Sequence, residues 1–239
     1  MQNRIFSVDN PKALKANAFG WINAIHYLAP HTRASVGNLC AHASPGCILH
    51  CLGEHSGAAI YYPSVIKSRI AKAQRFMRDR KNYLSDMRRA IASAWRKAQS
   101  AKMRLCVRLN GSSDIAWEAI RDESKKTLLE LFPKIQFTDY TKNVKRALQA
   151  ARGEMPKNYC LVFSRSETNE HECLQVLAAG GRVAVVFGDG LPKTWNGYRV
   201  VNGDKHDLLH LQPKGVILGL TPKGPKAKKD KTGFVLRAA

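Results

Sequence analysis

The chain has 239 residues, 39 Lys plus Arg against 18 Asp plus Glu, a formal net charge of +21 and 44% hydrophobic residues. That apolar share excludes disorder as the default state and suffices for a core in one large α/β domain or two small ones, and ordinary Gly, Pro and Cys usage excludes collagen-like, mucin-like and disulfide-miniprotein classes. So large an excess of cations points to a polyanion, with nucleic acid, DNA ahead of RNA, preferred over an acidic membrane because no lipidation motif or amphipathic anchor is visible.

The opening MQNRIFSVDNPKALKANAFGW has no apolar signal-like run and no later run reaches a membrane span, which predicts a cytoplasmic chain with its six cysteines reduced or metal-bound. A first strand is expected near residues 21–28. From 63 to 101, apolar residues recur at steps of three and four from Ile66 to Ala98, which predicts one long helix, or two joined near Asn82. Its remaining faces carry Lys67, Arg69, Lys72, Arg75, Arg78, Arg88, Arg89, Arg96 and Lys97, with Asp79 and Asp86 as the acids among them. A charge run is most often a solvated face; here the scarcity of acids favours contact with phosphates.

Strand-like runs follow at 104–109, 135–139, 159–163, 182–187 and 215–220, with helix-like stretches at 115–131, 141–152 and 168–178 between them. About six strands mostly joined by helices imply right-handed crossovers and a largely parallel sheet, an open or partial (β/α) barrel. Residues 188–212 break the rhythm and read as a long functional loop or a small β excursion. The chain reads as a single barrel-like domain over 1–222 and a basic tail over 223–239, where Lys226, Lys228 and Lys229 look like part of a mobile arm for phosphates. There is no internal repeat.

In parallel α/β folds ligands bind at the carboxyl ends of the strands. Each such end here carries a polar cluster: Asn110 with Ser112, Ser113 and Asp114, then Asp139 to Lys142, then Ser164, Arg165 and Glu167, then Asp189, then Thr221 and Lys223. Helix capping accounts for Asp114 and Thr141 taken singly, but not for Asn110, Asp139 or the Arg165 and Glu167 pair.

The sharpest motif lies upstream, NLCAHASPGCILHCLGEH, with Cys40, Cys47 and Cys51 separated by six and three residues and a Pro-Gly turn between the first two. Three thiols on so short a loop suit zinc or an iron–sulfur cluster; packing of small cysteines at a helix start is the plainer alternative. One of His42, His50 or His55 would complete a zinc site, whereas three cysteines alone would leave one iron of a four-iron cluster open. The spacing leaves both open.

Through NLCAHASPGCILHCLG, VRLNGSSDIAWE, FTDYTKNVKR, NYCLVFSRSETN and VILGLTPKG, the chain resembles the phage-encoded gene-product-88-like family. More loosely it is similar to radical S-adenosylmethionine enzymes, which set a three-cysteine loop after the first strand of a partial six-stranded barrel. That resemblance implies an iron–sulfur cluster on Cys40, Cys47 and Cys51, with S-adenosylmethionine contacted from Asn110 to Asp114, from Ser164 and Arg165, and along Gly215 to Gly219. The cysteine spacing departs from that superfamily's three-then-two pattern, and NGSSD stands where a Gly-Gly-Glu pattern is common. Resemblance to the zinc-containing deazaguanine transglycosylases implies instead base exchange, with Asp114 and Asp139 as nucleophile and acid–base pair, although that family's cysteines lie late in the chain. The leading expectation is a phage-type enzyme modifying nucleic acid, with Asp114, Asp139 and Glu167 as catalytic candidates. A nucleic-acid-binding protein with structural zinc is the non-catalytic alternative.

Overall fold

The computed structural model describes residues 4–237. A short strand β1 (Phe6–Ser7) and a one-turn helix α1 (Pro11–Leu14) lead into β2 (Trp21–His26). Asn10 starts α1 by accepting the Ala13 N–H at 2.9 Å, and Gly20, at φ +75°, ends the following 3-10 turn and redirects the chain into β2. Three one-turn helices follow, α2 (Pro45–Leu49), α3 (Leu52–His55) and α4 (Ala58–Tyr61), then α5 (Pro63–Arg78) and α6 (Arg80–Ser100).

Of the two expectations for this stretch the two-helix one holds, and the break falls at Asp79, three residues before the expected joint near Asn82, with a non-helical φ of −137° and ψ of 58°. Packing explains the bend. Phe76 and Tyr83 are seven residues apart, which a straight helix would separate by about 10 Å along its axis; across the break their rings meet at 5.7 Å, and Phe76 also packs on Trp117 at 5.2 Å.

The remaining elements are β3 (Arg104–Arg108), α7 (Leu128–Leu131), β4 (Gln136–Thr141), α8 (Val144–Ala151), β5 (Tyr159–Ser164), α9 (Glu170–Ala178), β6 (Val183–Phe187), β7 (Thr194–Trp195), β8 (Tyr198–Asn202), β9 (Ile217–Leu220), α10 (Gly224–Lys228) and β10 (Val235–Leu236). They form an α/β fold on one open ten-stranded sheet, in the order β1-β2-β3-β4-β5-β6-β9-β8-β7 with β10 beside β6. Every pairing from β2 to β8 is parallel; β1 with β2 and β7 with β8 are antiparallel. All of the expected strands are present. The count exceeds six because two-residue strands add to the edges and because the 188–212 excursion supplies β7 and the parallel strand β8.

Alternation along the strands sorts their side chains onto two faces. Leu105, Val107, Phe137 and Leu161 pack with Leu84, Met87 and Ile91 of α6, and Phe163, Val183, Val185 and Ile217 with α8 and α9. The opposite face, with Val162, Ala184 and Leu218, is closed by Leu209 from the 3-10 turn at Leu209–Leu211. Each large side chain buried in this way stabilises the fold by about 1.5–3 kcal/mol relative to exposure. No helix is long and apolar enough to cross a membrane among the described residues.

Two expectations are corrected. The helix over 115–131 is mostly turn, with a 3-10 turn at Trp117–Ala119 and only the four-residue α7. Its helical bonds lose to local side-chain bonds: Asn110 Oδ1 takes the Ile115 N–H and the Trp117 indole N–H, and Asp122 takes the Ser124 N–H. The lysine-rich tail is no mobile arm. It forms α10 and then β10, which pairs in parallel with the end of β6, and Ala227, Asp230 and Val235 are buried.

Candidate functional site

The cysteine loop leaves β2 at the carboxyl edge of the sheet and is fastened there from two sides. Ser44 starts α2 by accepting the Cys47 N–H at 3.2 Å. From the end of β5, Glu167 accepts the Gly46 N–H at 2.7 Å and the Ser44 hydroxyl at 2.8 Å. Burial opposes the Glu167 charge, but these donors outweigh it and hold the carboxyl below its usual range. Gly46 is required by this approach, because a Cβ there would stand 2.7 Å from Glu167 Oε2. On the other side, His50 Nε2 and Asp230 Oδ1 of the tail lie 2.6 Å apart, both side chains almost fully buried.

The thiol of Cys40 reaches the end of β3. Cys40 Sγ lies 3.7 Å from Ser112 O. Gly53, two residues after Cys51, packs against the same residue, since a Cβ there would stand 2.8 Å from Ser112 Cβ. Burial pushes the Cys40 thiol up to about 11 and Cys51 up to about 12, and in each case the nearby Cys47 adds to the effect. Without a compensating cation these groups stay protonated at neutral pH. The thiols are neighbours in charge but not a closed ligand set: among the described residues no three His, Cys, Asp or Glu side chains form a group ready to hold a metal ion.

The predicted strand-end residues are mostly engaged inside the protein. Asp139 is fully buried, accepting the Asn110 N–H at 2.6 Å and the Tyr159 hydroxyl at 3.0 Å, and burial pushes its carboxyl up to about 7. Through these bonds it braces β3, β4 and β5. Asn110 is buried with it, its Oδ1 also taking the Ser113 hydroxyl at 2.8 Å, so Asn110 and Ser113 shape a turn and are not free for a cofactor. Asp114 accepts from Arg146 at 2.7 Å, the Thr141 hydroxyl at 3.1 Å and the Lys142 N–H at 2.8 Å. Both aspartates are thus hydrogen-bonded within the protein.

Ser112 donates to Leu28 O at 2.6 Å while its own carbonyl faces Cys40. Ser164 ends β5, where its carbonyl accepts from Asn169. Arg165 donates to Gly233 O at 2.7 Å and Phe234 O at 3.2 Å, which ties down the tail. Gly215 is misplaced by the sequence reading: its N–H bonds to Gly180 O and Gly181 O at the amino end of the sheet, opposite the cysteines. Gly219 lies within β9, packed so closely that a Cβ would stand 2.7 Å from Val200 Cγ1.

The expected phosphate-gripping residues also separate. Lys72 is buried, and burial, helped by Arg69, lowers its amine to about 8. Arg69 stacks over Tyr27 at 4.7 Å and donates to Gly53 O. Arg75 and Arg89 pair with Asp86, and Arg88 with Asp122. Lys67, Arg78, Arg96 and Lys97 are exposed, with no acidic partner among the described residues. In the tail, Lys226 Nζ is 3.2 Å from His55 Nε2, while Lys228 and Lys229 are exposed.

Three participants escaped the sequence reading. Asp230 is a lone acid inside a lysine run. Arg146, within a helical pattern, holds both Asp114 and Glu118, the latter at 2.6 Å. Asn143 meets His42 of the cysteine loop at 3.0 Å. Only the polar, capping-like residue Asn143 carried a local signal.

No curated protein and no solved structure matches the chain. One family model does, over residues 4–238, so that the loop, the strand ends and the docked tail all fall within the matched region, and the chain belongs to the Gene product 88 family.

Proposed function

We propose that this protein is an enzyme acting on nucleic acid, in the cytoplasm of a phage-infected cell, with its reaction centre at the carboxyl edge of the sheet. Cys40, Cys47 and Cys51 would hold an iron–sulfur cluster and, through it, S-adenosylmethionine. The observation that carries this reading is Cys40 Sγ at 3.7 Å from Ser112 O, at the end of the strand after the one that precedes the cysteine loop, with Cys47 and Cys51 close enough to act on one another's charge. The consecutive order of β2, β3, β4, β5, β6 and β9, all parallel, supports a partial barrel around that point. Three thiols on one short loop would suit a soft metal centre, whose bonding would offset the burial that raises Cys40 and Cys51.

When bound, such a centre supplies an electron for reductive cleavage of S-adenosylmethionine, chemistry that belongs to the cofactor. The chain's own work is positioning. Glu167 and Asp230 hold the loop against the sheet, Arg146 fixes Asp114 beneath it, and Lys142, whose Nζ lies 3.5 Å from Arg165 O, brings a cation to the same edge. Lys67, Arg78, Arg96 and Lys97 would grip backbone phosphates without reading sequence.

A non-catalytic nucleic-acid-binding protein with structural zinc is the second reading, and the internal pairing of Asp114, Asp139 and Glu167 favours it. Anaerobic purification with iron and sulfide separates the two. The first reading expects a brown protein that binds S-adenosylmethionine and loses its colour in Cys40→Ser, Cys47→Ser and Cys51→Ser. A colourless protein carrying one zinc, lost in the same variants, selects the second. Absence of either metal removes both.

A further inference from the structure

A cavity of about 760 Å³ opens at the carboxyl ends of β6 and β9, and none of the residues considered above as catalytic lines it. Its wall includes Gly57, Gly188, Thr221, Lys223, Lys228 and Arg237, so every charged lining residue is a cation. Three separate segments supply them: the end of β9, α10 and the strand β10 that α10 leads to. The two pairings with acids hold these side chains in place. Asp204 accepts Lys223 Nζ at 2.9 Å and the Thr221 hydroxyl at 2.7 Å, and Arg237 donates to Asp189 at 3.0 Å and to Lys228 O at 2.6 Å. Lys228 has no acidic partner among the described residues and leaves a net positive charge in the cleft.

Gly57 and Gly188 add no side chain to the wall. At Gly188 a Cβ would lie 2.7 Å from Arg237 Nη1, so a side chain there would displace the guanidinium. Beyond Gly57, α4 ends one turn later in two tyrosines, Tyr61 and Tyr62, 75% and 61% exposed. A helical turn is about 5.4 Å, so the two exposed tyrosines begin about one turn along the chain from Gly57 in the cavity wall. The Arg and Lys side chains suit phosphate oxygens, and exposed aromatic rings suit a base of any sequence.

We propose that this cavity binds the phosphate of a nucleotide unit, whose base stacks on Tyr61 or Tyr62. This deepens the nucleic-acid reading above by adding a defined cleft for unpaired bases to the phosphate contacts of α5 and α6, and it does not depend on the metal centre. Free nucleotide and single-stranded nucleic acid share this chemistry, and separate probes distinguish them.

The test is fluorescence anisotropy of the full chain with a labelled oligothymidylate of ten nucleotides across a salt series, with adenosine diphosphate and inorganic pyrophosphate as competitors. Lys228→Ala is expected to weaken binding and lower the slope of log affinity against log salt by about 1. Tyr62→Ala is expected to weaken binding of both nucleotide probes but leave pyrophosphate competition intact. Lys145→Ala, an exposed lysine on α8, serves as the control and should change nothing. Tight adenosine diphosphate with weak oligothymidylate identifies free nucleotide as the source; the reverse identifies a single strand. Equal effects of Lys228→Ala and Lys145→Ala, or no binding of either nucleotide probe, overturn the proposal. Repeating the titration on Cys40→Ser protein keeps a failure of the metal reading separate, since nucleotide binding should survive there.

Discussion

Asp139 shows how a residue's chemistry in sequence and its task in space diverge. A carboxylate at a strand's carboxyl end is what an enzyme needs, yet this one is sealed, shared between a backbone N–H and a tyrosine hydroxyl, and pushed up to about 7 by burial. Nothing local distinguishes a brace from a catalyst, because the distinction lies in Tyr159 and Asn110, which are far from it in the chain. Replacing Asp139 with Asn keeps one acceptor and sets an amide against the Asn110 amide. The expected cost is about 1–3 kcal/mol, read from urea unfolding, with nucleic-acid affinity unchanged. The cysteines were legible because thiols cluster visibly in sequence. The contact of Cys40 with Ser112 was not.

Among the elements, the docked tail differs most from its appearance in sequence. Five lysines, two prolines and two glycines over residues 221–234 suggest a solvated arm. The outcome is decided by a few apolar and acidic residues: Val235 and Leu236 add a strand to β6, Ala227 is buried, and Asp230 accepts the Val235 N–H at 2.8 Å while meeting His50. Burial works against the Asp230 charge, but the Val235 and Thr232 donors together with His50 more than offset it and hold the carboxyl well below its usual range. Asp230→Ala leaves His50 with no partner on either ring nitrogen, since Nδ1 already has none. The expected result is a loss of about 1–3 kcal/mol together with faster amide exchange in residues 44–55, measured by hydrogen–deuterium exchange. Faster exchange confined to the tail would show that the tail does not hold the cysteine loop. The break at Asp79 follows the same principle: periodicity gave both helices their faces, and the Phe76–Tyr83 contact set the joint.

For the molecule as a whole, acid should be destabilising through His26. Its ring is fully buried, with Nδ1 3.0 Å from Leu109 O and Nε2 2.7 Å from the Tyr83 hydroxyl, and burial, aided by Lys72, lowers it from 6.5 to about 3. A depressed histidine contributes stability that is present above the unfolded value and lost as pH falls from about 6.5 towards about 3. Asp139 works in the opposite sense, its contribution being complete below 3.8 and lost as pH rises through about 7. Urea midpoints taken between pH 6.5 and 4 should therefore fall less steeply in His26→Asn than in the parent chain; identical slopes would remove His26 as the cause. Sequence by itself determined the α/β class, the parallel strands, the cationic excess and the three-thiol loop, because periodicity, composition and spacing are local quantities. Tertiary structure alone decided which carboxylates are braces, which lysines are buried or paired, that the tail closes on the cysteine loop, and that a cationic cleft forms at the ends of β6 and β9. Each of these depends on pairs such as His50 with Asp230, 180 residues apart in the chain, and only folding brings such pairs into contact.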